Sequence, residues 1–248
     1  MVKIISTINF KGGVAKTTST INIGAEIARR GKKVLLIDAD PQANLTVGLG
    51  IEPDENNNIY ISLSEGSFSA PINVSENLDV IPSHISFVDA EIQFSTKLGR
   101  EFLLKNLVDQ VKNNYDYIII DCPPSSGLIF INAVACSDRL LIPLLGEPFS
   151  VSGIKELMST VTLVQKTVNK NLKIGGVFLT KYENVNLHKE SKEAMTEFFK
   201  EKFLKTQIRK NISISEAQTM GIDVVSYKPQ SNGAEDYINL TNEVLNIK

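Results

Sequence analysis

Apolar positions along the chain follow two rhythms. Short runs rich in β-branched residues at 2–8, 33–37, 78–81, 117–120, 139–142, 174–179 and 224–226 predict strands. Two of them, VLLI at 34–37 and YIII at 117–120, are apolar throughout, the pattern of strands covered on both faces. Between the runs, apolar residues recur at helical spacing: Leu103, Leu104, Leu107, Val108 and Val111; Ile154, Leu157, Met158, Val161 and Val164; and Tyr237, Leu240 and Val244. Each set predicts a helix that lays one stripe against a core. The alternation predicts an α/β fold with a mostly parallel twisted sheet and helices on both faces. The run EPDENNN at 52–58 and the polar stretch that follows to about residue 77 predict a surface excursion. No linker divides the chain, so residues 1–248 are expected to form a single domain.

Composition narrows the function classes. At 42% apolar and 22% charged, the 248 residues have an ordinary globular composition. The formal net charge of −2 excludes wholesale electrostatic coating of nucleic acid but leaves room for a local basic patch. No apolar run approaches the roughly 18 residues of a membrane span. The N-terminal MVKIISTINFKGG lacks a small-residue cleavage site and reads as a first strand, so a cytoplasmic location is expected. Cys122 and Cys136 have neither disulfide-framework nor zinc-site spacing and are expected to be buried thiols. His84 and His188 lie in polar contexts that predict surface positions without a chemical role.

The sharpest motif is KGGVAKTT at 11–18, directly after an apolar strand and before a helix-patterned segment. Gly12 and Gly13 allow a tight turn that points backbone N–H groups at an anion, and the following helix adds its positive end. Lys16 can then reach terminal phosphates and Thr17 can offer its hydroxyl to Mg²⁺. Phe10 and Ala15 stand where the standard GxxxxGK[ST] loop has glycines, so the loop is a variant. Asp38 and Asp40 follow the second strand, at the edge of a parallel sheet where ligands bind. Asp121 ends the apolar run at 117–120, the usual presentation of a Mg²⁺-holding carboxylate in P-loop enzymes. Together these motifs predict a P-loop NTPase.

KGGVAKTT, DADPQANLT at 38–46, DCPPSSG at 121–127, SISEA at 213–217 and KPQSNGAEDY at 228–237 together resemble the ParA/Soj group of deviant Walker A ATPases, within the ParA/MinD superfamily, over nearly the whole chain. The resemblance implies slow ATP hydrolysis to ADP and phosphate by a Mg²⁺-dependent nucleotide-sandwich homodimer. It makes Lys11 the signature lysine that crosses to the partner's nucleotide and places Gly12, Gly13, Val14 and Ala15 around the phosphates. Lys16 would hold the β- and γ-phosphates, Thr17 the Mg²⁺ and Thr18 the α-phosphate. Asp40 would position the attacking water, with Asp38 and Asp121 in the metal shell. Segment 228–234, including Pro229, Gln230, Ser231 and Asn232, would contact the adenine.

The resemblance also implies segregation of plasmid or chromosomal DNA, non-specific DNA binding by the ATP-bound dimer on the nucleoid, and a separate ParB-like centromere-binding partner. The family's DNA-contacting arginines are replaced here at Gln230 and Asn232. Lys200, Lys202, Lys205, Arg209 and Lys210 crowd eleven residues with one acid, Glu201, and form the candidate DNA surface. Alternatives are a ParA-like ATPase that positions a protein cargo, a MinD-like membrane-cycling ATPase, and an iron–sulfur reductase relative. The MinD-like reading needs a basic amphipathic C-terminal helix that NLTNEVLNIK does not offer, and the reductase reading needs cluster cysteines. The segment TKYE at 180–183 lacks the Asn and Asp of guanine-reading loops, so adenine is expected.

Overall fold

The apolar runs become strands β1 (Lys3–Thr7), β2 (Val34–Asp38), β3 (Ile72–Ser75), β4 (Leu78–Ile81), β5 (Tyr117–Asp121), β6 (Arg139–Leu145) and β7 (Lys173–Thr180) of one sheet. The computed structural model describes residues 2–146 and 151–247. Strand order is β3-β4-β2-β5-β1-β6-β7, parallel throughout except for the antiparallel β3–β4 pair. The helices are α1 (Lys16–Arg29), α2 (Asn44–Gly48), α3 (Ile59–Glu65), α4 (Ala90–Gln93), α5 (Leu103–Val111), α6 (Leu128–Cys136), α7 (Val151–Thr167), α8 (Asn186–Phe199), α9 (Ile212–Thr219), α10 (Val224–Tyr227) and α11 (Asn232–Leu245).

Each face of the sheet carries its own core, which explains why the central strands are apolar at every position. Ile118 and Ile120 of β5 belong to the cluster with Leu107, Phe130, Val134 and Val161, whereas Ile119 between them packs with Ile23, Ile27, Tyr237 and Leu240. All three predicted helical stripes are therefore core contacts, from α5, α7 and α11. Cys122 and Cys136 are free and buried as expected, and burial raises both thiol pKa values and keeps them unreactive.

Three expectations are corrected. Residues 224–226 form helix α10 and not a strand, because the Asp223 carboxylate accepts from the Val225 and Ser226 N–H groups and starts a helical turn that overrides β-branched propensity. The polar excursion holds α3, capped by Asn58 on Tyr60 N–H and Ile61 N–H, and the edge strand β3, too short and half-exposed to announce itself. His188 is buried: its Nδ1 accepts from Glu183 N–H at 2.9 Å. The outer edge of β7 is not bare, since Leu204 N–H and Ile208 N–H donate to the carbonyls of Val177 and Leu179.

One loop contact admits no side chain. Gly221 has φ +70°, and a Cβ there would stand 2.6 Å from Gly50 Cα and 2.8 Å from Gly50 N, both backbone atoms. Gly221→Ala is expected to destabilise the protein by about 2 kcal/mol or more, from left-handed strain plus the clash. A fall in Tm of roughly 5 °C or more in a thermal melt checks it.

Candidate nucleotide site

The phosphate loop is built from its anchors. Past β1, Ile8 N–H donates to Leu141 O, Asn9 Nδ2 donates to Pro143 O at 2.8 Å, and Asn9 Oδ1 receives Lys11 N–H at 2.9 Å. Phe10, in place of a loop glycine, packs edge-on against Phe130 at 5.2 Å. Thr180 Oγ1 reaches Val14 O at 3.1 Å from the end of β7. Between these ties Gly13 takes φ +73° and Ala15 takes φ 62° as the N-cap of α1, with no side chain to cap its first amides. A left-handed alanine costs about 1 kcal/mol, and such strain collects where a loop must present its backbone to a ligand.

The acids are delivered by strand register. Asp38 and Asp121 are partners on neighbouring β2 and β5, and Thr7 of β1 also pairs with Asp121. Both carboxylates are fully buried at the C-terminal edge of the sheet. Thr17 Oγ1 donates to Asp121 Oδ2 at 2.6 Å, and Thr20 Oγ1 lies 3.4 Å from Asp121 Oδ1. Asp38 Oδ2 accepts from Thr46 N–H at 2.9 Å and from Thr46 Oγ1 at 2.7 Å, and Asp38 Oδ1 from Asp40 N–H at 3.2 Å. Asp40 Oδ1 accepts from Gln42 N–H at 2.9 Å.

Burial dominates the electrostatics. Desolvation raises Asp38 to about 6 against the hydrogen bonds from Thr46. It also raises Asp121, helped by the Asp38 charge and opposed by Thr17 and Lys16. Lys16 is lowered by burial, opposed by the charges of Asp121, Cys122 and Asp40. Its Nζ reaches the Lys11 carbonyl at 3.4 Å. Among the described residues no three His, Cys, Asp or Glu side chains group into a metal cage. The Thr17 hydroxyl on Asp121 is the donor pair suited to Mg²⁺, which keeps waters and takes most of its remaining ligands from phosphates.

Above these groups lies a cleft of about 830 Å³. Gly12, Gly13, Ala15, Lys16, Thr17, Thr18 and Asp40 line one side; Thr180, Lys181, residues 208–211 and α9 line the other. Lys11 is exposed beside it, Val14 is buried behind the loop, and Asp38 and Asp121 lie beneath its floor. Pro229, Gln230, Ser231 and Asn232 are not among the residues that line this cleft. They form the turn into α11, where Ser231 Oγ accepts from Ala234 N–H at 3.1 Å.

The basic cluster is also divided. Arg209 is clamped by the Asp236 carboxylate, with Nη2 to Oδ1 at 2.6 Å, and by Glu235 at 2.7 Å, which raises its pKa further. Lys210 stands 3.4 Å from Glu183. Lys200 and Lys205 are exposed and Lys202 half-buried, on the segment that covers β7. Arg209 is therefore a structural strut and not part of one continuous patch with the three lysines.

A family model described as an AAA domain matches residues 2–174. The chain is 45% identical to the sporulation initiation inhibitor protein Soj of Bacillus subtilis, over 98% of each chain. It is 38% identical to the chromosome-partitioning ATPase Soj of Treponema pallidum, over 99% of this chain and 98% of that one. The chain belongs to the ParA/Soj family. Solved structures agree with this family's fold: cobyrinic acid a,c-diamide synthase from Mycobacterium smegmatis with bound ADP and magnesium superposes with TM-score 0.85 at 28% identity, covering 99% of this chain and 94% of that one. A plasmid partition protein from Borrelia burgdorferi gives TM-score 0.80 at 28% identity, with full coverage of both chains.

Several residues that shape the site in this ParA/Soj-family protein carry no sequence signal of their own. Thr20 and Thr46 buffer the buried acids, Asn9 and Thr180 tether the loop, and Gln218 reaches α1 from α9. Thr46 does double duty, since its Oγ1 also accepts from Ser83 N–H at 2.9 Å. Thr46→Val leaves Asp38 and Ser83 N–H each short of a partner inside the protein. A loss of about 2–4 kcal/mol is expected, measured by denaturant unfolding without nucleotide.

Proposed function

We propose that the protein is a Mg²⁺-dependent ATPase of the partition type that hydrolyses ATP as a homodimer. The observation that carries this reading is the Thr17–Asp121 hydrogen bond of 2.6 Å beneath a glycine loop that opens α1 and holds Lys16. Phosphoryl transfer asks for positioned positive charge and not for a covalent nucleophile. Lys16 and the first amides of α1 hold the β- and γ-phosphates, the Thr18 hydroxyl holds the α-phosphate, and Thr17 ligates Mg²⁺ with Asp121 and Asp38 behind it. Asp40, with one oxygen spent on Gln42, aims the other at the attacking water. The M. smegmatis synthase, solved with an ATP analogue and magnesium at 27% identity, supports the choice of ligands.

Exposed apolar side chains around the cleft support a second copy as the lid. Val47, Ile212 and Met220 are 55%, 74% and 66% exposed beside a cleft whose contents would otherwise face water. Lys11 then completes the partner's site. Lys16→Ala is expected to abolish ATP binding, whereas Lys11→Ala keeps ATP affinity and loses about tenfold or more of turnover; equilibrium binding and phosphate release separate the two. EDTA should stop turnover, and restored Mg²⁺ should recover it.

The names of the relatives, a chromosome-partitioning ATPase and a chromosome partitioning protein, support a role in partition; the same proposal places the protein in the cytoplasm and on the nucleoid, with non-specific DNA and a ParB-like protein as partners. Among the described residues no helix is long and apolar enough to cross a membrane. The DNA surface is assigned to Lys200, Lys202 and Lys205, doubled in the dimer. Changing all three to alanine should remove ATP-dependent DNA binding and flatten its dependence on salt, measured by filter binding from low to moderate ionic strength. Unchanged binding would favour a protein cargo.

A further inference from the structure

Besides the contacts of Arg29 with Asp223 and Ser226 at its C-terminal end, the phosphate-loop helix is fastened to the last quarter of the chain by three polar ties. Asn22 bridges Thr18 O at 2.7 Å and Val224 N–H at 2.8 Å, and Ser19 Oγ meets Tyr237 Oη at 3.3 Å. The third differs, because it ends on a group that faces the cleft: Gln218 Nε2 donates to Thr18 Oγ1 at 3.0 Å.

A threonine hydroxyl has one proton and two lone pairs. With Gln218 donating into a lone pair, the proton of Thr18 is left to point into the cleft, where it can donate to an anion. Donation into the oxygen also polarises the O–H and strengthens the bond it makes outward. Gln218 is half-buried on α9, its neighbours Ser215 and Thr219 line the same wall, and among the described residues no other group takes up its side-chain amide.

We infer that Gln218 is a positioning residue for nucleotide binding, which sets the Thr18 hydroxyl as a donor to the α-phosphate. The inference rests on the nucleotide reading above. The α-phosphate keeps its bonds through γ-phosphoryl transfer, so its contacts bind ground and transition states alike. Losing the tie therefore raises KM and leaves kcat in place. Reversing its polarity does more harm: a carboxylate at 218 only accepts, draws the Thr18 proton away from the phosphate, and adds negative charge beside it.

The test uses the full-length protein, with ATP binding by equilibrium titration and ATPase kinetics. Gln218→Met, which keeps the volume and lacks the donor, is expected to raise KM for ATP by about fivefold, and Gln218→Glu by more than about tenfold, both with kcat within about twofold of the parent. In a Thr18→Val background the added penalty of Gln218→Glu over Gln218→Met should shrink to the small residual of bare charge repulsion, because the hydroxyl through which it acts is gone. Unchanged thermal melts of the nucleotide-free variants show that they fold. The inference is overturned if both Gln218 variants bind ATP like the parent, if kcat falls with KM unchanged, or if the full penalty persists without the Thr18 hydroxyl. Lys16→Ala run alongside tells the two failures apart: ATP binding that survives it sinks the nucleotide reading itself, whereas its loss beside intact Gln218 variants sinks the inference alone.

Discussion

The structure depends on two fully buried carboxylates that end neighbouring parallel strands. Asp38 and Asp121 sit side by side on β2 and β5; burial raises the pKa of both, the Asp38 charge adds to the rise at Asp121, and the Asp40 charge adds to that at Asp38. The chain offsets this with hydroxyls, amides and one ammonium: Thr46 and the Asp40 amide for Asp38, Thr17, Thr20 and Lys16 for Asp121. Each compensating group comes from a loop or helix that follows a strand, so satisfying the acids also shapes the cleft. The 39–46 turn folds around Asp38 because Thr46 must reach back, and α1 begins where it does because Thr17 must reach Asp121. A cation and a polyphosphate entering together complete what the hydroxyls only begin, which is why a site this crowded with negative charge suits Mg²⁺ and a nucleotide better than either alone.

The far wall of the cleft has a different origin. Residues 203–210 run beside the edge strand β7, held by backbone hydrogen bonds at Leu204, Ile208 and Tyr182. Arg209 then locks that segment to α11 through Asp236, whose Oδ2 also accepts Arg209 N–H at 2.8 Å. The clamp pulls residues 208–211 and the start of α9 over the phosphate loop and leaves 229–232 behind them as a helix-capping turn. The ion pair thus fixes residues 208–211 against α11, beside the cleft that they line.

The central strands and the chemistry at their ends were legible from sequence because both are written in local patterns. Unbroken apolar runs reported two-sided burial, and a glycine pair followed by Lys-Thr at a strand–helix junction reported a phosphate loop. What stayed hidden was set by contacts far apart in sequence or by single polar groups. Residues 224–226 look like a strand until Asp223 caps them, and His188 looks solvated until the Glu183 amide is found on its ring. Arg209 looks like part of a DNA surface until Asp236 and Glu235 are seen to hold it, 27 and 26 residues away. A run of basic residues records charge, but it does not record which of those charges the fold has already used.

That distinction bears on how a chain of net charge −2 can meet a polyanion. Of its five arginines, Arg29, Arg30 and Arg209 are ion-paired within the fold, to Glu26 and Asp223, to Glu26, and to Asp236 and Glu235. Guanidiniums suit such permanent forks, because their planar donors match carboxylates and lose little freedom on pairing. The charge that remains outward on the 200–205 segment is carried by lysines, flexible and strongly hydrated, which contact phosphates as point charges and without base readout. A surface of that kind binds weakly per copy, without sequence preference and with steep salt dependence. In the proposed dimer its occupancy would follow the number of copies presented together, so a nucleotide that paired two chains would control a DNA contact without any change in the lysines themselves.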